Sequence, residues 1–306
     1  MPELVVMCGL PGSGKSMYAE KLKEKGYIIH SSDKIREEFG DVNDQSKNID
    51  VFNILHKRIK DDLKCGKNVC YDATNLNRRR RIAFIRELKN IPCKKECVLI
   101  ATPYEMCMAQ NCQRERKVPF EVIYKMLKSF QIPSIYEGYD SVKIHYPKEE
   151  WKTYYGAVNN FVKSLVDFDQ ENSHHNLTLG KHMMKAANYL LMKNRLVRCD
   201  TYFATLLHDI GKPAVKSFLN RKGEIDSDAH YYNHHYVGAY KCLFIDYSGT
   251  EGVINKENIS LLIEHHMKPY MEWKQSEKAK EKDRKLFGDQ FIEEIELLHE
   301  ADVNAK

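Results

Sequence analysis

The sequence has no Cys-x-x-Cys pair, no internal repeat and no low-complexity tract. Nor does any apolar run approach the roughly 18 residues that a membrane helix needs. Its nine cysteines are odd in number and scattered. That argues against a disulfide framework or a zinc ribbon and fits reduced thiols in a cytosol. The first apolar stretch is too short for a secretory signal and has no basic segment before it. Neither sign of charge dominates: 48 Lys and Arg against 43 Asp and Glu leave a formal net charge of +5. This mild basicity is compatible with a polyanionic partner but does not require one. The expectation is a cytoplasmic protein with no membrane partner.

Hydrophobic residues at 42% and charged residues at 30% describe a globular chain, and 306 residues are enough for two domains with a core each. The most informative stretch is Leu4 to Ser16, LVVMCGLPGSGKS. A short apolar run, predicted as a buried strand, breaks at Gly9 and passes through Leu10, Pro11, Gly12, Ser13 and Gly14 to Lys15-Ser16, where an amphipathic helical pattern begins. Phosphate binding needs this order of strand, glycine-rich turn and helix N-terminus. The glycines let backbone N–H groups curl round a phosphate chain, and the helix dipole adds positive charge. Lys15 is placed for the β- and γ-phosphates, and the Ser16 hydroxyl for Mg²⁺. An ordinary glycine turn would not need all these parts together, so the chain is expected to bind ATP with Mg²⁺.

Strands are predicted over 27–30, 68–71 and 96–102, alternating with helices over 16–25, 33–39, 47–64, 79–89 and 105–114. This alternation argues for a parallel sheet with helices on both faces. Ligands of such sheets bind beyond the C-terminal ends of the strands, where the glycine loop, Asp33 and Asp72 all fall. An acid that caps a helix is common, but two carboxylates at strand ends beside a phosphate loop point to chemistry. The basic runs Arg78 to Arg81 and Lys274 to Lys285 read equally well as solvated helix faces or nucleic-acid contacts.

GLPGSGKS, SDKIR at Ser32–Arg36, YDATNLN at Tyr71–Asn77, CMAQNCQRERKVP at Cys107–Pro119 and IPSIYEGYD ending at Asp140 together resemble the phage and bacterial polynucleotide 5′-kinases, among the P-loop phosphotransferases. The resemblance covers about residues 1–145. It implies that Asp33 is the general base for a 5′-hydroxyl, and that Arg36 holds the substrate phosphate and is steadied by Asp72. It also implies a lid arginine, Arg114 or its neighbour Arg116, that clamps the phosphates. Gln110 stands where relatives carry arginine, and the spacing to Pro119 is one residue shorter than in the phage enzyme.

The pattern loosens between Asp140 and Ser173, with one helix predicted over 151–166, and the domain boundary is placed near residue 150. Beyond residue 175 the patterns are helical throughout. His182, His208-Asp209, His234, His266 and Asp302 fall on apolar faces of separate predicted helices. An ionised aspartate on a buried stripe is costly unless paired or bound to metal, and four histidines with two aspartates exceed what a core ordinarily holds. A donor set of His and Asp without Cys suits Mn²⁺, Ni²⁺, Co²⁺, Fe, Mg²⁺ or a catalytic Zn²⁺. Helical phase favours His266 over His265. His174, His175 and His230 are read as surface residues or neighbours of the ligands rather than ligands themselves, with His175 a candidate to face substrate.

HNLTLGKH, LLHDIGKP, YNHHYVGA, EHHMKP and Ala301-Asp302 resemble the HD phosphohydrolase superfamily, above all the HD domains of tRNA nucleotidyltransferases and of RNA end-healing proteins. The resemblance implies a metal site of His182, His208, Asp209 and Asp302, a second metal added by His234 and His266 with Asp209 bridging, and Lys212 meeting a substrate phosphate. The fold expected is thus an α/β P-loop kinase domain over 1–150 followed by an all-α HD domain over 151–306. Such a pair implies a bifunctional enzyme that heals RNA or DNA ends: an ATP-dependent 5′-OH kinase with a 2′,3′-cyclic phosphodiesterase or phosphatase. Its product would go to a separate RNA ligase, since no ligase signature is present. The alternatives are a kinase and phosphohydrolase of free nucleotides or another small metabolite, or a nucleotide-sensing regulatory protein.

Overall fold

The computed structural model of the chain describes residues 1–40, 46–173, 176–193, 197–250 and 252–305. The chain divides into two compact units, Met1–Met126 with Pro133–Pro147, and Lys148–Lys306 with Leu127–Ile132.

The first unit runs β1 (Glu3–Cys8), α1 (Lys15–Glu24), β2 (Ile28–Ser31), α2 (Ser32–Glu38), α3 (Asn48–Lys64), β3 (Val69–Asp72), α4 (Arg78–Glu87), β4 (Lys94–Ile100), α5 (Tyr104–Cys112), α6 (Phe120–Leu127) and β5 (Ser141–His145). The five strands form one parallel sheet in the order β2-β3-β1-β4-β5. From Leu4 to Cys8 every side chain of β1 is buried, as a strand covered on both faces requires. Val5 and Met7 pack with Cys70, Val98 and Ile100 against Ala19 and Leu22 of α1. The chain fills one side of β1 with β2 and β3, then the other with β4 and β5. The crevice of such a reversal opens at the C-terminal end of β1, where the glycine loop begins.

The Arg78–Arg81 run resolves into two kinds of residue. Arg79 and Arg80 are exposed, whereas Arg78 and Arg81 are buried. Arg81 grips Glu137 with Nε on Oε2 and Nη2 on Oε1, both at 2.6 Å, and Arg78 Nε reaches Oε1 at 3.3 Å. Glu137 also accepts the backbone N–H of Ser134 in a capping box. Removing one member of a buried ion pair strands the other in low dielectric. Glu137→Ala is therefore expected to cost about 3–5 kcal/mol in urea unfolding, and the Arg81→Met/Glu137→Met double variant less than the sum of its parts. Additive losses would show that the pair is not coupled.

The second unit runs α7 (Val158–Lys163), α8 (Leu179–Lys193), α9 (Cys199–Leu207), α10 (Lys212–Val215), β6 (Ser217–Leu219), β7 (Ile225–His230), α11 (His234–Lys241), α12 (Lys256–His265), α13 (Glu277–Phe287) and α14 (Asp289–Asn304). The single helix expected over 151–166 is instead a 3₁₀ turn at Glu149–Thr153 and the short α7, broken at Gly156, whose φ is +74°. Helix does not run uninterrupted either: β6 and β7 pair as an antiparallel hairpin. Ala186 and Leu190 of α8 pack against Ala301 of α14 and Ala305. In the Lys274–Lys285 run, α13 turns Asp283 inward to accept from Trp273 Nε1 at 2.9 Å.

Lys256, at the start of α12, donates to the carbonyls of Lys152, Leu243 and Ile245 at 2.8, 3.0 and 2.8 Å. Burial pushes its ammonium down to about 8, against roughly 10.4 in an unfolded chain. Between those values the unfolded chain binds more protons, so stability rises with pH. The urea midpoint of the parent is expected to climb between about pH 8 and about 10.4 relative to Lys256→Met. Parallel profiles would overturn this.

Candidate active sites

In the first unit the loop between β1 and α1 holds Gly9, Pro11, Gly12, Ser13 and Gly14, with Lys15 and Ser16 opening α1. Gly12 and Gly14 lie in the left-handed region at φ +77° and +96°. At Gly12 a Cβ would come within 2.3 Å of the Cys107 carbonyl oxygen, so only glycine lets the loop lie against α5. Thr102 Oγ1 donates to the Ser13 carbonyl at 2.8 Å, and Gly9 N–H to the Thr74 carbonyl at 3.1 Å. Lys15 folds back over the loop, its Nζ on the carbonyls of Gly9 and Leu10 at 3.0 and 2.7 Å.

Asp33 sits in the first turn of α2, and one turn on, Arg36 Nη1 meets its Oδ1 at 2.9 Å. Arg116 Nη1 approaches the same oxygen at 3.4 Å. Asn48 steadies Arg36 by accepting from Nη2 at 2.9 Å. Asp72 ends β3, in register with Ser31. Burial raises the Asp72 carboxyl above its ordinary range despite the nearby charge of Lys15, and burial lowers the Lys15 ammonium despite Asp72. The helix expected over 105–114 ends at Cys112, because α5 gives way to a turn that carries both arginines. Arg114 is felt as a charge at Lys15, while Arg116 reaches Asp33. Asn111, buried, closes that turn: its Nδ2 donates to the Val118 carbonyl at 2.8 Å and its Oδ1 accepts Val118 N–H at 3.0 Å.

In the second unit the histidines and aspartates gather into two trios, His182 with His208 and Asp302, and Asp209 with His234 and His266. In the first trio His182 Nε2 lies 3.2 Å from His208 Nε2 and 3.0 Å from Asp302 Oδ1. In the second, His234 Nε2 lies 3.1 Å from both His266 Nε2 and Asp209 Oδ1. Asp209 faces both ways: its Oδ2 is 3.3 Å from His208 Nε2 and 3.7 Å from His182 Nε2.

Local folding aims these rings. The Nδ1 atoms of His208, His234 and His266 bond the carbonyls of Thr205, Tyr231 and Ile263 at 2.7, 2.8 and 2.7 Å. A ring that donates through Nδ1 offers Nε2 as the ligand atom. Two donors bound to one tetrahedral ion lie about 3.4 Å apart, so the nitrogen and oxygen spacings fit a divalent ion in each trio. Burial alone would lower His208, but Asp209 and Asp302 outweigh it and raise it to about 10. Lys212 and His208 hold the Asp209 carboxyl well below its usual range although burial opposes them. His265 turns away from this cluster to pack on Phe287 and Phe291. His174 and His175 lie outside the described residues.

Several contributors carried no signal in the sequence. Tyr270 Oη donates to Asp302 Oδ2 at 2.9 Å. Gln170 Oε1 accepts from Lys212 Nζ at 2.8 Å, while the same ammonium sits 2.7 Å from Asp209 Oδ2. Both partners come from stretches without periodicity. Gly211 could have been noticed inside HDIGKP: a Cβ there would fall 2.0 Å from the His234 carbonyl oxygen. Gly211→Ala is expected to cost roughly 1–3 kcal/mol or more. Because it displaces the turn that aims His234, metal retention in equilibrium dialysis should drop too. Unchanged retention would refute that second effect.

A parallel sheet with a glycine loop at its central strand and a helical unit with paired His/Asp trios define two classes, a P-loop kinase-type domain and an HD domain. The family model described as AAA domain matches residues 4–133, and the one described as HD domain matches residues 174–304, so the chain joins a P-loop domain to an HD domain. It is 29% identical over 172 residues to the L-seryl-tRNA(Sec) kinase of Methanococcus maripaludis, a match over 52% of this chain and 65% of that protein. The chain thus spans just under two thirds of that relative's length. Among solved structures it is similar to the Pnkp1/Rnl/Hen1 RNA repair complex (22% identity, TM-score 0.38, 41% of this chain and 42% of that one). It is also similar to a gluconokinase from Sinorhizobium meliloti 1021 (18% identity, TM-score 0.35, 47% of this chain and 82% of that one). Among the described residues no helix is long and apolar enough to cross a membrane.

Proposed function

We propose that the chain is a bifunctional enzyme that heals nucleic-acid ends. Residues 1–150 would phosphorylate a 5′-hydroxyl with ATP, and residues 151–306 would hydrolyse a 2′,3′-cyclic phosphate or terminal phosphate. The observation that carries the reading is Asp209, whose two oxygens face two separate His/Asp clusters in a chain that also holds a complete phosphate loop.

In the kinase half the loop N–H groups and Lys15 bind the phosphates, and Asp33 accepts the proton of the incoming hydroxyl. Arg36 positions the acceptor, and Arg114 or Arg116 neutralises charge on the equatorial oxygens. Mg²⁺ held by Ser16 would add charge neutralisation there. In the HD half a divalent ion held by His182, His208, Asp209 and Asp302, or a pair completed by His234 and His266, would lower the pKa of a bound water and polarise the phosphoryl group. Lys212, anchored between Asp209 and Gln170, orients the phosphate, and Tyr270 holds Asp302 in place.

The test is one short RNA that bears a 5′-hydroxyl and a 2′,3′-cyclic phosphate, incubated with the chain, ATP and Mn²⁺ and resolved on a gel. Change at both ends supports end healing, and RNA that emerges unaltered sinks it. A second reading takes a smaller or different hydroxyl acceptor, and the archaeal seryl-tRNA kinase favours it. Phosphate transfer to mononucleosides or to seryl-tRNA, without labelling of oligonucleotide 5′ ends, would establish that reading instead. A separate ligase is the expected consumer of the healed ends.

A further inference from the structure

The hairpin β6–β7, which interrupts the helices of the second unit, is not accounted for by metal binding. Its tip carries Arg221, and its second strand ends at His230, immediately before Tyr231 and Tyr232. Asn233 follows in the left-handed region at φ +66°, and then His234 of the second trio. The hairpin therefore delivers planar side chains to the edge of the His/Asp cluster. His230 and Tyr232 stack with centroids 5.2 Å apart and planes 9° from parallel, and the Arg221 guanidinium lies 5.4 Å from the centre of the Tyr232 ring. Asp226 holds the His230 ring from the same hairpin at 2.9 Å.

Arg221 and Tyr232 border a cavity of about 370 Å³ whose wall also includes Asp209, Lys212 and His234, and His230 backs Tyr232 from the hairpin. That volume is at the small end of ligand sites, enough for one nucleotide and too small for a folded strand. Its buried lining includes Lys212 and the carboxylate that faces both trios, where a phosphate would sit. Its wall also holds the Tyr232 ring with the exposed Arg221 guanidinium over it. Aromatic rings and guanidinium planes both take nucleobases face to face.

We infer that Tyr232 and Arg221, with His230 stacked behind the tyrosine, form the base-binding wall of the HD site and seat the base of the terminal nucleotide, on Arg221 or in its place, while the phosphate lies at Asp209 and Lys212. This rests on the phosphohydrolase reading given above. It makes Tyr232 and Arg221 binding residues that set specificity for nucleotide esters over phosphate esters without a base.

The full chain with Mn²⁺ is given RNA ending in a 2′,3′-cyclic phosphate whose last residue either carries a base or is abasic. Tyr232→Ala is expected to raise KM for the base-bearing end by roughly tenfold or more, with little change in kcat. The abasic end should be affected much less, and Tyr232→Phe should restore the parent's KM. Equal effects on both ends, or none on either, would overturn the proposal. A second readout does not need turnover: an oligonucleotide with 2-aminopurine as its last base, in Mg²⁺, should lose fluorescence on binding the parent and keep it with Tyr232→Ala. Tyr232-dependent quenching without hydrolysis keeps the wall and removes the phosphohydrolase reading. Hydrolysis with neither quenching nor a KM effect does the reverse, and the absence of both hydrolysis and quenching removes both.

Discussion

Asp209→Ala is expected to lower metal-dependent hydrolysis of phosphate esters by about a thousandfold or more, because a bound ion supplies several kcal/mol of charge stabilisation. One side chain serves both trios: Oδ1 lies 3.1 Å from His234 Nε2 and 3.8 Å from His266 Nε2, and Oδ2 faces His208 and His182. No other carboxylate among the described residues stands between the two groups. The substitution also strips Lys212 of its ion pair at 2.7 Å and leaves Gln170 to hold the cation that would orient the phosphate. Metal content after dialysis and turnover of a cyclic-phosphate end give the readouts, with ATP-dependent phosphorylation as the internal control. Full metal content together with full turnover would remove Asp209 from the site.

Lys15→Ala is expected to reduce ATP-dependent phosphoryl transfer by roughly a hundredfold to a thousandfold, the usual loss when a preorganised charge on the transferring group is removed. The ammonium lies on the carbonyls of Gly9 and Leu10 at 3.0 and 2.7 Å, which places it against the glycine loop. Lys15→Arg should not restore the rate, because a planar fork cannot take the place of a compact point charge under a curled loop. Rapid-quench measurement of one turnover tests this, and a variant with undiminished transfer would relocate the nucleotide site.

How much was legible depended on whether a residue's partners lay near it in sequence. The glycine loop needs only neighbours, a strand before it and a helix after it, so it could be read directly. The apolar stripes that carry His208 and His266 could be read because helical phase is local. The buried Arg81–Glu137 grip could not, since its halves are 56 residues apart and an arginine run looks the same whether half of it is buried or all of it is solvated. Tyr270 and Gln170 were hidden for the same reason: each acts on an ionised group delivered by a distant element. The hairpin escaped notice because its strands are short and their polar alternation is weak.

The Asn111 clasp has a consequence for motion. An amide side chain that pairs with both the N–H and the carbonyl of Val118 imitates one rung of a β-ladder and turns the stretch that holds Arg114 and Arg116 into a closed ring. The entropy of closing that ring is lost during folding rather than on binding. The two arginines therefore travel as cargo on one small carriage. Its anchored end is α5, which lies so close to Gly12 that no side chain fits between them, so the ring and the phosphate loop share one support.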